Sequence, residues 1–103
     1  MPETTTESCC CASGASVATD AEERFSEFMG AVNADGAISV RTKELIAIAL
    51  SVVSKCGPCV SIHIDKAHNL GISDDEINEA VWMGIAFGGA PVMMFYNTLM
   101  EKA

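Results

Sequence analysis

Apolar residues recur along this chain at intervals of three and four, and no stretch shows the two-residue alternation of a half-buried strand. Phe25, Phe28, Met29 and Val32 mark the first such stripe. Ahead of it, Thr19-Asp20-Ala21-Glu22 has the form of a capping box, a Ser or Thr followed three residues later by Glu. Together they predict a first helix from near Thr19 to the turn signal Asn33-Ala34-Asp35-Gly36. A second helix is expected to start around Ser39 to Thr42, with Glu44 in its early turns, and to run on through residues 45–53. That run is apolar on every side, and periodicity alone does not separate a central helix from a buried strand. Its paired alanines and its length favour the helix.

Gly57-Pro58 breaks the run, and a third helix is expected from Pro58 to Leu70, with Gly71 placed as a C′ residue. A second capping box, Ser73-Asp74-Asp75-Glu76, opens a fourth helix. Its stripe is Ile77, Ala80, Val81, Gly84, Ile85 and Gly88, and the small members let another helix approach closely. Gly88-Gly89-Ala90-Pro91 ends it, and a fifth helix should run from Pro91 to about Lys102, carrying Val92, Phe95, Tyr96 and Leu99. The pattern predicts an all-α fold, a single helical domain of about five helices over residues 20–103. Residues 1–19 lack periodicity and are dominated by Pro, Thr, Ser, Gly and other small residues, so they read as a flexible tail.

Composition changes this picture in two ways. Half of the 103 residues are apolar, and the mean hydropathy is +0.29. A domain of this size buries little more than about 60% of its unfolded surface, so some apolar surface is expected to lie between subunits. The six basic and fourteen acidic residues leave a formal charge of −8, which argues against nucleic acid or an anionic membrane as a partner. No apolar run approaches the ~20 residues of a membrane span. The start, Met1-Pro2-Glu3, has neither the basic segment nor the apolar core of a signal peptide, which makes the cytoplasm the expected compartment. There a close cysteine pair is more often catalytic or metal-binding than structural.

Candidate chemistry is concentrated between Glu44 and His63. Cys56-Gly57-Pro58-Cys59 places two thiols two residues apart, and His63 follows Cys59 by four. If Pro58 lies in the first turn of a helix, where its missing N–H costs nothing, Cys59 and His63 share a face. A thiol, an imidazole base and a carboxylate to relay or orient the proton make an activated nucleophile, and Cys56 can close a disulfide with Cys59. The helix N-terminus favours charge on Cys56, whereas the histidine one turn along favours Cys59 as the attacking thiol. Because a base in reach both accepts the proton and pairs with the thiolate, Cys59 is preferred. Three further cysteines, Cys9, Cys10 and Cys11, lie in the tail. They either do little in solvent, bind a soft metal or metalloid, or exchange with the Cys56–Cys59 pair; they are expected to be dispensable for activity. His68 reads as a surface or helix-end residue.

Glu44, Cys56-Gly57-Pro58-Cys59, His63, Leu70-Gly71-Ile72-Ser73 and the Gly/Ala-rich segment to Pro91 together resemble the alkylhydroperoxidase D-like branch of the carboxymuconolactone decarboxylase family. The resemblance spans roughly Phe25 to the C-terminus. It implies an all-helical protein assembling as a homotrimer or homohexamer, with a peroxidase or disulfide-reductase activity and no cofactor or metal. On that resemblance Cys59 attacks the hydroperoxide substrate, Cys56 resolves it, and His63 and Glu44 form a proton relay. A dithiol or lipoyl-type donor would restore the thiols. Some members carry a histidine between the two cysteines, where this chain has Pro58.

Two other readings compete. Cys-Gly-Pro-Cys is also the frame of thioredoxin-like disulfide oxidoreductases, in which Ala90-Pro91 would precede a strand, although Lys55 replaces the aromatic residue usual before the first cysteine. Alternatively, Cys56, Cys59, His63 and Glu44 are the ligands of a metal-binding oligomeric protein. Trp82, Met83, Phe87, Met93, Met94, Phe95 and Tyr96 are expected in the core or at a subunit interface.

Overall fold

The computed structural model describes residues 14–102. Five helices make up the described residues, with no strand among them: α1 (Gly14–Val32), α2 (Val40–Val53), α3 (Gly57–Asn69), α4 (Asp74–Gly88) and α5 (Ala90–Lys102). The all-α prediction holds, and four of the five helices start within two residues of where the sequence puts them. The thioredoxin-like alternative does not fit, because it needs a central sheet and because Ala90 and Pro91 open a helix.

The first helix is the exception. It begins at Gly14, so Thr19-Asp20-Ala21-Glu22 lies inside it rather than at its start, and residues 14–19 belong to a helix rather than to the tail. Between Gly14 and Gly30 the sequence contains no proline or glycine, and alanine and glutamate there carry high helix propensity. Cys9, Cys10 and Cys11 lie outside the described residues. The chain divides into two compact units, one ending at Ala34 and the other starting at Asp35. Within the first, Arg24 donates to Asp20 one turn earlier at 2.9 Å, and the rings of Phe25 and Phe28 sit 6.2 Å apart.

The second unit is built on α2, which packs against α3, α4 and α5. Ile48 and Val52 of α2 meet Val60 and Ala67 of α3, Ile77, Val81 and Ile85 of α4, Val92 of α5, and Ile72 in the α3–α4 connection. Each such aliphatic side chain stabilises the fold by about 1.5–3 kcal/mol when fully buried. The small residues of the α4 stripe act as expected. A Cβ on Gly84 would stand 2.6 Å from the carbonyl oxygen of Ala49, so the two helix backbones are in direct contact there. Met93, Phe95 and Tyr96 pack against the core, whereas Trp82, Met83, Phe87 and Met94 are exposed on this chain.

Both connections flanking α3 use the same backbone device. At the end of α3, the N–H of Gly71 donates to His68 O and that of Ile72 to Ala67 O, the paired bonds of a Schellman motif. Gly71 takes the left-handed conformation this requires (φ 80°), and Ile72 and Ala67 are both buried. At the end of α2, Lys55 N–H donates to Val52 O and Cys56 N–H to Ser51 O. The left-handed residue there is Lys55 (φ 58°), the only non-glycine with positive φ among the described residues. A side-chain-bearing residue in that region costs roughly 1–2 kcal/mol relative to glycine.

Candidate active site

The strained turn delivers Cys56 to two roles at once. Its N–H completes the end of α2, and its side chain is the N-cap of α3, where Sγ accepts the N–H of Cys59 at 3.3 Å. Gly57 and Pro58 occupy the first two helical positions, so the proline sits where no hydrogen bond is lost. With Cys56 at the N-cap and Cys59 three residues on, the Cα atoms are 5.2 Å apart and the two sulfurs are joined in a disulfide. Both residues are only partly buried, which leaves the pair within reach of a reactant.

His63 lies one turn beyond Cys59 on the same helix, at the i+4 position that shares its face. Its Nδ1 is paired with Oε2 of Glu44, which reaches across from α2. Glu44 and Ser51 are the only buried polar or charged residues among those described. The carboxylate side chain is 9% exposed and the imidazole 16%, so this contact is shielded from water on most sides. In the tautomer that carries its proton on Nδ1, the ring donates to the carboxylate and leaves the Nε2 lone pair free. Buried carboxylates need such partners, because an unpaired charge in a low-dielectric interior is strongly unfavourable.

The four residues singled out in the sequence therefore form two directly bonded pairs, Cys56 with Cys59 and Glu44 with His63, and α3 carries a member of each. His68 lies elsewhere, as expected for a surface residue: its Nε2 meets Asp74 Oδ1 at 2.7 Å, both side chains well exposed. Lys55 was missed as a feature of the site. The helix expected to break at Gly57-Pro58 ends earlier, at Val53, and a lysine carries no sequence signal for the left-handed turn that follows. Among the described residues, no group of three or more His, Cys, Asp or Glu side chains is arranged to hold a metal ion.

A family model described as the carboxymuconolactone decarboxylase family matches residues 19–101. The chain belongs to that family. The family includes alkylhydroperoxidase D-like proteins, so the resemblance drawn from the Glu–CxxC–His spacing holds. A carboxymuconolactone decarboxylase family protein from Legionella pneumophila, solved as a crystal structure, superposes with a TM-score of 0.75 at 30% identity, covering 95% of this chain and 88% of that one. A family member from Thermotoga maritima, for which a part in an antioxidative response has been suggested, gives 0.71 at 31% identity, over 78% of this chain and 82% of that one. Among curated sequences, an uncharacterised protein of the cox locus of Paracoccus denitrificans is 37% identical over 62 residues, 60% of this chain and 56% of its own length. An uncharacterised protein of Cupriavidus necator is 34% identical over 71 residues, 69% of this chain. The chain spans 63% of that second relative's length. No described helix is long and apolar enough to cross a membrane.

Proposed function

We propose that this protein is a thiol-dependent peroxidase in which Cys56 and Cys59 cycle between dithiol and disulfide. The observation that carries the reading is the shielded Glu44–His63 pair, held one helical turn from Cys59 of the Cys56–Cys59 disulfide. A free thiol with pKa about 8.5 is mostly protonated at neutral pH, and His63 Nε2 takes the proton from Cys59 while Glu44 stabilises the imidazolium. The Cys59 thiolate attacks the distal oxygen of a hydroperoxide, the O–O bond breaks, and the protonated imidazole returns a proton to the departing alkoxide. Cys59 becomes a sulfenic acid and the substrate an alcohol. Cys56 then attacks the Cys59 sulfur, the disulfide forms, and water leaves.

The helix N-terminus has a second use in this cycle. Charge on Cys56 is favoured at the N-cap, which makes its thiolate both a ready resolving nucleophile and a good leaving group when a dithiol donor attacks Cys59. The donor attack gives a mixed disulfide on Cys59; a second donor thiol displaces it, releasing the reduced pair and an oxidised donor. Exposed Ile46, Leu50, Trp82, Met83 and Phe87 support assembly as a homotrimer or homohexamer, whose mass light scattering would give directly. The test of function is hydroperoxide consumption with candidate dithiol donors. Turnover is expected for the wild type and none for Cys59→Ser; equal turnover in both overturns the proposal.

A further inference from the structure

Two apolar grooves open on the surface of the second unit, and they differ in charge. The first, about 480 Å³, lies over α2 and α4 and is bordered by Glu76 and Glu79 with no basic residue. The second, about 450 Å³, follows α5 and is lined by Pro91, Met94, Phe95, Thr98 and Leu99 together with Lys55 and Lys102. The α5 residues are spaced at three and four, so they form one continuous face about 16 Å long from Pro91 to Lys102. Two of the six basic residues of a chain carrying −8 thus border this groove, and no carboxylate lines it. Neither lysine forms an ion pair among the described residues, unlike Arg24 and Arg41, which are bound to Asp20 and Glu76.

The groove also adjoins the thiol pair. Lys55 immediately precedes Cys56, and a Cβ on Gly57, between the two cysteines, would touch Cδ1 of Leu99 at 3.4 Å. Lys55 is moreover the residue held in the left-handed turn, where glycine would be unstrained, as at Gly71. Strain that persists at such a position points to a use for the side chain. The ammonium group is what lysine adds.

We propose that the α5 groove binds an amphipathic carboxylate, its apolar chain lying over Pro91, Met94, Phe95 and Leu99 and its head group held by Lys55 and Lys102. The volume falls within the ~300–1,000 Å³ of small-ligand sites. The proposal rests on the peroxidase reading for its consequence: the preferred substrate is a long-chain hydroperoxide that bears a carboxylate, reduced by the two thiols to the hydroxy acid and water. The binding itself does not depend on turnover.

Isothermal titration of the oxidised full chain with decanoate tests the site directly, with 1-decanol as the uncharged control. Decanoate binds more tightly than decanol, and its affinity falls as salt screens the lysines. The double variant Lys55→Gln/Lys102→Gln loses up to about 30-fold in decanoate affinity, the range expected for two exposed ion pairs. Either single variant loses less. Equal binding of decanoate and decanol, no binding of either, or unchanged decanoate affinity in the double variant overturns the proposal. A second arm compares kcat/KM for a long-chain hydroperoxy acid and its methyl ester. Decanoate binding without consumption of either hydroperoxide leaves the site standing and defeats the peroxidase reading. Consumption of both at equal kcat/KM, with no decanoate binding, does the reverse.

Discussion

Two imidazole–carboxylate pairs stand a few residues apart on this molecule, and their surroundings give them different meanings. His68 and Asp74 lie six residues apart in sequence, 50% and 82% exposed, bridging the end of α3 and the start of α4. Their contact is of the kind that contributes about 0–1 kcal/mol and is weakened by salt. His63 and Glu44 are nineteen residues apart, on two packed helices, and nearly out of water. To bring them together the fold must place α2 and α3 correctly and accept a buried carboxylate. The same two functional groups thus form a surface link in one place and, in the other, a shielded pair one helical turn from Cys59. What distinguishes them is burial and neighbours.

Replacing each histidine by alanine breaks the comparison most sharply. His63→Ala should lose roughly 10²–10⁴-fold in peroxide reduction at neutral pH, the worth of general-base assistance. Part of the loss should return at alkaline pH, where the thiol ionises unaided. His68→Ala should leave turnover unchanged, and a pH–rate profile of both variants separates the two. Removing the carboxylates gives a smaller contrast. Glu44→Gln should reduce the rate less than His63→Ala, because in the proposed relay Glu44 orients the ring and does not take the thiol proton itself. Asp74→Asn should not affect the rate.

Two stability effects outside the site are smaller still. Ser73→Ala removes the hydroxyl that accepts Glu76 N–H at 3.2 Å and should cost about 1 kcal/mol in denaturant unfolding, with the redox chemistry intact. Arg41, with the backbone N–H and hydroxyl of Ser73, holds the Glu76 carboxyl down to about 2. A carboxylate depressed in the folded state stabilises above its unfolded pKa near 4.3 and loses that contribution as pH falls toward 2. Thermal unfolding followed from pH 5 to pH 2 should therefore decline less steeply in Glu76→Gln than in the wild type.

How far the sequence carries is best seen in the helix ends. Ser73-Asp74-Asp75-Glu76 announced α4 because both halves of its capping box are side chains of fixed chemistry, and both bonds form. Gly71 announced the end of α3 because only glycine takes a left-handed turn without strain. Thr19-Asp20-Ala21-Glu22 carries the same signature as Ser73–Glu76 yet lies within α1, since residues 15–18 ahead of it contain no helix breaker. Lys55 makes the same turn as Gly71 with no compositional sign of it, because packing of the flanking helices, not local preference, sets its backbone. Within the site, the helical spacing of Cys59 and His63 was legible, as was the disulfide-forming distance of Cys56 and Cys59. That Glu44 would be the partner of His63 depended on how α2 and α3 pack; no local pattern expresses that, and the pairing was readable only as what the family resemblance implies.

The central claim is that Cys59, served by His63 and Glu44, is the thiol that meets the peroxide and that Cys56 resolves it. Mass spectrometry of the Cys56→Ser and Cys59→Ser variants after one equivalent of hydroperoxide tests it most directly. The account predicts a sulfenic acid on Cys59 in Cys56→Ser and little oxidation of Cys56 in Cys59→Ser. Rapid oxidation of Cys56 in Cys59→Ser, with Cys59 left as a thiol in Cys56→Ser, would contradict it and assign the attack to the cysteine at the helix N-terminus.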